Sequence, residues 1–175
     1  KKKAAGFTAY KIKVGVDTVA NDAARTRAIC KVLGDDVLIS SDANQGFSAD
    51  EAITYARAVQ GCGLGFFEQP IAADDLAGMA AVAAAAGDIP IGADEGIHSL
   101  ADIRRHHDCK AARGVGLKAI KLGGLRGLTE AGRLCDRLGM NVNVSCKTGE
   151  SSIACAGALH VAGVIPNIAW ALTLT

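Results

Sequence analysis

Aromatic residues, long apolar runs and clusters of like charge are all scarce in this sequence of 175 residues. No stretch of about 18 consecutive apolar residues occurs, so we expect no membrane-spanning helix. Lysine and arginine number 19 against 18 aspartate and glutamate residues. They form no basic stripe, which argues against a nucleic-acid partner because backbone phosphates require clustered cations. The first residues show no pattern of a secretion signal, and none is expected.

Cysteine spacing also excludes a common class of site. The six cysteines form no C-x-x-C pair, and the four histidines are not spaced as zinc ligands relative to them. Half of the residues are hydrophobic, chiefly Ala, Val, Leu and Ile, which is enough for a core without disulfide support. We therefore expect reduced thiols and a cytoplasmic protein.

What the sequence does contain is a regular alternation of short β-rich segments and longer Ala-, Leu- and Arg-rich segments. The predicted strands are 7–14, 37–41, 64–67, 89–93, 115–121, 141–145 and 168–174. The predicted helices are about 18–33, 49–60, 76–86, 100–112, 128–138 and 151–162. Ser48 with Glu51, and Ser99 with Asp102, have the spacing of helix capping boxes. Alternation without hairpin signals favours parallel strands joined by crossover helices.

The spacing of the strand ends indicates the architecture. Asp42, Glu68 and Asp94 each close a predicted strand and lie 26 residues apart. A closed ring of eight strand–helix units takes about 200–250 residues. We therefore predict an α/β fold of the (β/α)8 TIM-barrel type, as a modified (β/α)7β barrel whose first strand is absent from this chain. The alternative is a doubly wound open sheet, which usually carries a Gly-rich first turn, and no G-x-G-x-x-G occurs here.

Polar residues occupy the C-terminal ends of the predicted strands, where barrels of this type carry their chemistry. In chain order they are Lys11, Lys13, Asp42, Asn44, Glu68, Asp94, Glu95, Lys118 and residues 145–147. A single Asp at a strand end is most often a turn or helix-cap residue. That explanation does not account for a cation, three anions and a cation on five successive strands. Three converging carboxylates repel one another unless a cation neutralises them, and oxygen ligands suit Mg²⁺, with Mn²⁺ as an alternative.

The lysines on either side of these carboxylates predict proton transfer. Lys11 and Lys13 share one strand face, so each disfavours positive charge on the other. Lys118 and Lys121 are three residues apart, so we expect only one of them to point inward. A metal-bound substrate carboxylate is acidic at its α-carbon, so one lysine can remove that proton and the other can deliver one to the opposite face. The outcome is racemization or epimerization or, with a β-leaving group, elimination.

Five motifs carry a resemblance to a known family: KIKVG at 11–15, DAN at 42–44, FEQP at 67–70, ADE at 93–95 and KAIKLGG at 118–124. In this order and spacing the chain resembles the enolase superfamily, in the branch of mandelate racemase and muconate-lactonizing enzyme. The resemblance implies that Asp42, Glu68 and Asp94 are metal ligands. It also implies that Lys13 and Lys118 are the acid/base pair, supported by Lys11.

The resemblance extends to the substrate wall. Family members often carry a Glu after the seventh strand, and Glu150 in SCKTGESS (145–152) is its counterpart, while Cys146 and Lys147 depart from the common pattern. Cys146 is either a packed core thiol or part of the pocket wall. Together with IGADEGIHSLADIRRHH (91–107), this segment is similar to that of members acting on proline-type amino acids, such as hydroxyproline dehydratases and betaine epimerases. Asn44 and Glu95 are expected, with Lys11, Cys146, Lys147 and Glu150, as supporting or substrate-binding residues. Dipeptide epimerases usually carry Asp-x-Asp on the last strand; 171–175 reads ALTLT, which disfavours dipeptides.

The resemblance implies one catalytic barrel domain over residues 1–175, containing about strands two to eight, with an N-terminal α+β capping domain outside the sequence given. It also implies a homo-oligomer and a small-molecule carboxylate substrate. A muconate-type cycloisomerase and a non-catalytic metal-binding barrel remain alternatives. A phosphate-binding barrel such as an aldolase is a further alternative, but it leaves the three carboxylates unexplained.

Overall fold

A computed structural model describes residues 2–174, so Thr175, the last position of the ALTLT segment, lies outside it, as does Lys1. A short 3₁₀ turn, Lys3–Ala5, precedes the first strand. The strands are β1 Ala9–Lys13, β2 Leu38–Asp42, β3 Phe66–Glu68, β4 Ile91–Ala93, β5 Gly114–Leu117, β6 Asn141–Ser145 and β7 Leu172–Thr173. The helices are α1 Val19–Leu33, α2 Ala49–Val59, α3 Leu76–Ala85, α4 Leu100–Asp108, α5 Leu125–Arg137 and α6 Ser152–Ala162.

The seven strands form one parallel sheet in the order of the chain, β1-β2-β3-β4-β5-β6-β7. A doubly wound sheet reverses its strand order part of the way through, so this order excludes that alternative. The sheet curls as part of a barrel, and no pairing between β1 and β7 is present within residues 2–174. The predicted barrel-type architecture is confirmed.

Local sequence signals set the helix boundaries. Ser48 and Glu51 form the predicted capping box at the start of α2, each side chain bonding the other residue's backbone N–H. The Ser99 hydroxyl accepts from the Asp102 N–H at the start of α4, whereas the Asp102 carboxylate accepts from the His98 N–H. The second predicted box is therefore only half formed, and its carboxylate caps the residue before the helix start.

One stretch differs from the prediction in a way that matters for the site. β5 ends at Leu117 rather than at 121, and residues 118–123 form a turn before α5 begins at Leu125. Backbone bonds from Lys121 N to Lys118 O and from Leu122 N to Lys118 O close this turn. It changes the direction of both of its lysines, as described below.

The sheet packs on both faces. Between sheet and helices lies the main apolar core, which includes Tyr55, Phe67 and Ile103. Inside the curl, Trp170 stacks on Phe66 with ring centroids 4.2 Å apart and fills the end nearest the strand N-termini. No helix within the described residues is both long enough and apolar enough to cross a membrane.

Candidate active site

The C-terminal strand ends surround a cavity of about 900 Å³. Its position confirms that the polar strand ends predicted from the sequence face a common space, as parallel barrel strands require. The lining residues are Lys11, Lys13, Asp42, Asn44, Asp94, Glu95, His98, Lys118, Ile120, Lys121, Ser145, Cys146, Lys147, Thr148 and Thr173.

The first three strands bring two lysines onto two carboxylates. Asp42 lies beside Glu68 and beside Lys13 in the strand register. The Lys13 Nζ atom is 2.6 Å from Asp42 Oδ2, and the Lys11 Nζ atom is 2.6 Å from Glu68 Oε2. Lys11 also approaches Asp42 Oδ2 at 3.4 Å. Both carboxylates are buried, whereas the Lys13 side chain is 62% exposed and so reaches into the cavity.

Asn44 connects the first strands to the fourth. Its amide oxygen accepts from Lys13 Nζ at 2.6 Å, and its amide nitrogen donates to Glu95 Oε1 at 2.9 Å. Its backbone N–H donates to Asp42 Oδ1 at 3.0 Å. The backbone of Asn44 is left-handed, with φ at 43°, a conformation that Asn tolerates better than most residues. Asn44 and Glu95 thus lie at the site, where the sequence predicted supporting residues.

The prediction that only one of Lys118 and Lys121 points inward is wrong. Lys118 Nζ lies 2.5 Å from Asp94 Oδ2, and Lys121 Nζ lies 2.5 Å from Asp94 Oδ1. Strand alternation stops at Leu117, and the turn that follows directs both ammonium groups to one carboxylate. Lys121, which sequence reasoning left without a role, is therefore a site residue. The turn-forming Gly123–Gly124 pair directly after it was the available signal.

Gln69 is a second residue that sequence reasoning missed. It follows Glu68 in FEQP and is fully buried. Its side-chain oxygen accepts from the Asp94 N–H at 2.8 Å and from the Gly96 N–H at 3.3 Å, while its amide nitrogen donates to the Ile71 carbonyl at 3.0 Å. Gln69 therefore holds the loop that carries Asp94 and Glu95.

Close backbone contact positions the loops after β1 and β2. A Cβ atom added to Gly46 would lie 2.4 Å from the Gly15 carbonyl oxygen and 2.9 Å from that of Ala43. Gly15 itself has φ at +83°, which favours glycine. The two loops that follow Lys13 and Asp42 therefore pack backbone against backbone, which requires glycine at both positions.

Burial and neighbouring charge act together on Glu68. The pKa of Glu68 is raised to about 7, chiefly by desolvation; Lys11 opposes this shift, and Asp42 and Asp94 add to it. Burial disfavours the charged form of Lys11, but Glu68 and Asp42 outweigh that effect, so the pKa of Lys11 is raised. The effects of Asp42 and Asp94 on Glu68 indicate that the three carboxylates lie close enough to repel one another.

The pair of lysines at Asp94 has the opposite effect on that carboxylate. Burial alone favours the neutral acid, but Lys121 and Lys118 outweigh it and lower the pKa of Asp94. Burial, with Lys118 adding to it, lowers the pKa of Lys121 although Asp94 opposes the shift. Asp94 thus faces two cations, and the neighbouring Glu95, which also acts on Lys121, supplies the second negative charge on this side of the cavity.

The donor set fits a hard divalent cation. Within residues 2–174 no three His, Cys, Asp or Glu side chains are already converged on one point, because each of the three carboxylates is turned toward a lysine. However, the Glu68 Oε1 atom is buried and has no hydrogen-bond partner among the residues that the structure describes. An unpaired buried carboxylate oxygen between two further carboxylates is the arrangement that an oxygen-ligated cation stabilises. The residues at 42, 68 and 94 therefore fit Mg²⁺.

The last two strands form a different wall. Ser145, Cys146 and Lys147 all line the cavity, and Cys146 is also 93% buried, so it serves both as a packed thiol and as pocket wall. Glu150 is not among the lining residues; its carboxylate accepts from the Lys147 backbone N–H. The structure thus places Glu150 as a loop-stabilising residue behind the wall.

Comparison with known proteins agrees with this geometry. Residues 1–175 match the family described as Enolase C-terminal domain-like. The chain is 36% identical over 168 residues to an L-Ala-D/L-Glu epimerase of Bacillus subtilis, covering 93% of this chain and 44% of that protein. It is 31% identical over 158 residues to an N-succinyl-L-Arg/Lys racemase of Bacillus cereus, covering 90% and 42%.

A solved structure supports the same relationship. The crystal structure of muconate cycloisomerase from Pseudomonas fluorescens superimposes with a TM-score of 0.90 at 28% identity, covering 98% of this chain and 48% of that one. The chain spans about half the length of the relatives it matches. By family match and by fold, the chain belongs to the Enolase C-terminal domain-like family, in the mandelate racemase and muconate-lactonizing branch of the enolase superfamily.

Proposed function

We propose that the protein removes the proton α to the carboxylate of an amino-acid-type substrate and returns a proton to the opposite face, giving racemization or epimerization. The single observation that carries the proposal is the placement of Lys13 and Lys118. Each ammonium group contacts an outer member of the carboxylate set, Asp42 or Asp94, and both line the same cavity. A substrate carboxylate directed at the carboxylate set would therefore have one lysine on each side.

Asp42, Glu68 and Asp94 are the residues that would hold Mg²⁺, or Mn²⁺ in its place. When bound, the cation supplies positive charge that makes the α-proton of a coordinated carboxylic acid more acidic. Lys11 stays protonated beside Glu68 and adds positive charge at the substrate carboxylate. Asn44 Oδ1 accepts a hydrogen bond from Lys13 Nζ in addition to that accepted by Asp42, so the lysine keeps its direction while its proton is exchanged.

The two acid/base groups act in sequence. A lysine that removes a proton must first be neutral, and the five lysines at this cavity repel one another's charge. Neutral Lys13 takes the α-proton and protonated Lys118 delivers one to the other face; in the reverse direction the roles exchange. If the substrate carries a β-hydroxyl group, the protonated lysine gives its proton to that hydroxyl instead of to the α-carbon; the Cβ–O bond breaks, water leaves, and a Cα–Cβ double bond forms.

Exchange of the α-proton in D₂O tests the proposal. The full-length protein with Mg²⁺ is offered proline derivatives, N-acyl amino acids and dipeptides, and each α-proton signal is followed by proton NMR. We expect at least one signal to disappear, EDTA to prevent its loss, and the product to be an enantiomer or epimer rather than a dehydrated imine.

Three results would contradict parts of the proposal. Exchange that persists in EDTA would contradict the metal assignment. A dehydrated product would replace racemization by elimination while leaving the two lysines in their roles. The absence of exchange from every amino-acid derivative, with turnover of a muconate instead, would replace the proposed substrate class by that of the cycloisomerase alternative.

A further inference from the structure

A buried hydroxyl group on the cavity wall has no partner. Ser145 ends β6, is 3% exposed and lines the cavity. Its Oγ atom makes no hydrogen bond to any part of the chain that the structure describes. Because strand side chains alternate, Ser145 shares the inward face with Asn143, whose amide bonds the loop of Trp170 inside the curl. The Ser145 hydroxyl therefore points into the cavity and is free to bond a ligand.

A second hydroxyl lies next to it. Thr173 pairs with Ser145 in the strand register, and the Cys146 N–H donates to the Thr173 carbonyl at 3.0 Å. The Thr173 Oγ1 atom accepts from Asn143 Nδ2 at 3.3 Å. Since that bond uses a lone pair of the hydroxyl, the Thr173 proton remains available to the cavity. Two neighbouring O–H groups thus stand where β6 and β7 end.

This wall carries no carboxylate among its described lining residues. Its charged member is the cation Lys147, and its other members are neutral: Ser145, Cys146, Thr148 and Thr173. The acidic lining residues belong to the other side of the cavity, at the ends of β2 and β4. Those acidic groups are engaged by lysines and by Asn44. An ammonium group placed against the β6–β7 wall would lose its hydration and meet no opposite charge.

We propose that Ser145 and Thr173 bind an uncharged oxygen of the substrate. The protein then takes α-carboxylates that bear a carbonyl or hydroxyl near the α-carbon, and it rejects those that place a free ammonium group against the β6–β7 wall. The proposal rests on the proposed function for the position of the α-carbon between the lysines. A buried unpaired hydroxyl is costly and gains from an acceptor, whereas a desolvated ammonium without a carboxylate is disfavoured.

Two matched ligand pairs test the ammonium and oxygen preferences with the full-length protein and Mg²⁺. N-acetylalanine and glycylalanine differ by the ammonium group alone, and N-acetyl-cis-3-hydroxyproline and N-acetylproline differ by the hydroxyl alone. Binding is measured by calorimetric titration, and α-proton exchange in D₂O is followed separately. We expect N-acetylalanine to bind at least several-fold more tightly than glycylalanine, because only glycylalanine brings an ammonium group to the wall. If the bound oxygen is a hydroxyl, we also expect N-acetyl-cis-3-hydroxyproline to bind more tightly than N-acetylproline.

Variants then assign the preference to the residues. Ser145→Ala and Thr173→Val each remove one hydroxyl at nearly constant volume. We expect each variant to raise the Kd and KM of the preferred ligand by roughly 3–10-fold, with kcat little changed. Ser41→Ala is the control, because Ser41 is equally buried but lies on the opposite, outward face of β2 between Ser40 and Asp42. Its ligand affinity is expected to match that of the unaltered protein.

The outcomes separate this inference from the proposed function. Preferred binding that depends on Ser145, without any α-proton exchange, would support the inference and refute the reaction. Exchange with equal affinity in Ser145→Ala would refute the inference and leave the reaction in place. Glycylalanine binding as tightly as N-acetylalanine, or no binding of any of the four compounds, would also overturn the inference.

Discussion

The inside of the curled sheet has two layers of side chains, a floor and a mouth, which lie two residues apart along β2, β3, β4 and β6 and four residues apart along β5. The mouth layer consists of Asp42, Glu68, Asp94, Lys118 and Ser145. The floor layer consists of Ser40, Phe66, Gly92, Gly114 and Asn143. Period-two alternation places both layers on the same face of the sheet, so their chemical difference is a property of depth alone.

The floor is filled, whereas the mouth is charged and open. Added Cβ atoms would lie 3.0 Å from the Trp170 ring at Gly92 and 2.5 Å from it at Gly114, so the two glycines make room for the indole. Above them, Asp94 meets two lysines. The comparison shows that a closed apolar floor supports the strand ends, while the mouth keeps buried charges that apolar packing would exclude.

The largest expected effect comes from removing one acid/base group of the mouth. Lys13→Ala and Lys118→Ala should each lower α-proton exchange from one substrate enantiomer by about 10²–10⁴-fold, because general acid/base catalysis typically contributes that factor. Exchange from the other enantiomer should be affected far less. Proton NMR in D₂O, run separately on each enantiomer, measures both rates. Lys31→Ala, on the exposed side of α1, is the control; equal losses from both enantiomers would contradict the two-sided assignment.

The second-largest expected effect is the stabilisation of the folded protein when a cation binds at the mouth. At a Mg²⁺ concentration of about 100 times its Kd, the free energy of unfolding should rise by about 2.7 kcal/mol, because binding to the folded state alone shifts the equilibrium. Thermal denaturation with Mg²⁺ and with EDTA measures the rise. Asp42→Asn should abolish it, and Asp136→Asn, on the exposed side of α5, should not. A rise that survives Asp42→Asn would place the cation elsewhere.

At the floor, we expect the free energy of unfolding to depend on side-chain volume and not on charge. In Gly114→Ala the new methyl would lie 2.5 Å from Trp170 and 2.6 Å from the Asn141 carbonyl oxygen, so a strand or the indole must shift. We expect a loss of about 1–3 kcal/mol in the free energy of unfolding, measured by denaturant titration. Gly163→Ala is the matched control, since its nearest atom is the His160 carbonyl at 3.4 Å. Equal stability of both variants would show that the floor is loosely packed.

The smallest expected effect concerns His106 of α4, whose ring lies close to Gly96 in the loop after β4. Burial lowers the pKa of His106, although the Asp102 carbonyl opposes the shift. Just below pH 6.5, His106 therefore binds a proton in the unfolded chain but not in the folded chain. The contribution of His106 to the free energy of unfolding is fully present above about pH 6.5 and is lost as the pH falls toward the folded-state pKa. The loss is at most about 1.4 kcal/mol per pH unit.

Denaturant titrations between pH 7.5 and 5 at about half-unit steps measure this dependence. His106→Gln should remove this contribution, so its curve should differ from that of the unaltered protein by the slope that His106 supplies. Glu68, whose pKa is raised to about 7, contributes a slope of opposite sign in the same window, and that contribution is common to both proteins. His107→Gln, at the partly exposed neighbour on the same helix, should leave the slope unchanged. A slope that is the same with and without His106 would assign the dependence to other groups.

Prediction from the sequence succeeded where a residue's position at the site follows from its place on a strand. Asp42, Glu68 and Asp94 recur every 26 residues, and the parallel register brings them to one edge of the sheet. The prediction failed at Lys121, because strand alternation ends before this residue. Lys121 lies in a turn that is closed by hydrogen bonds from the backbone to Lys118 O and Ala119 O. Ser145 was predicted only as one of several polar residues at strand ends, and Thr173 carried no signal; only the structure shows that the Ser145 hydroxyl is buried without a partner among the described residues.

The sequence by itself determined the alternation of strands and helices, the helix starts at Ser48 and Ser99, and the series of charges at the strand ends, because these depend on neighbours a few residues apart. Only the tertiary structure decided which charges pair. Lys11 meets Glu68 across 57 residues of chain, and Lys13 meets Asp42 across 29. Trp170 likewise finds its place only against strands formed far earlier in the chain. Burial and Coulomb energy depend on distance in space, and the curl of the sheet sets those distances.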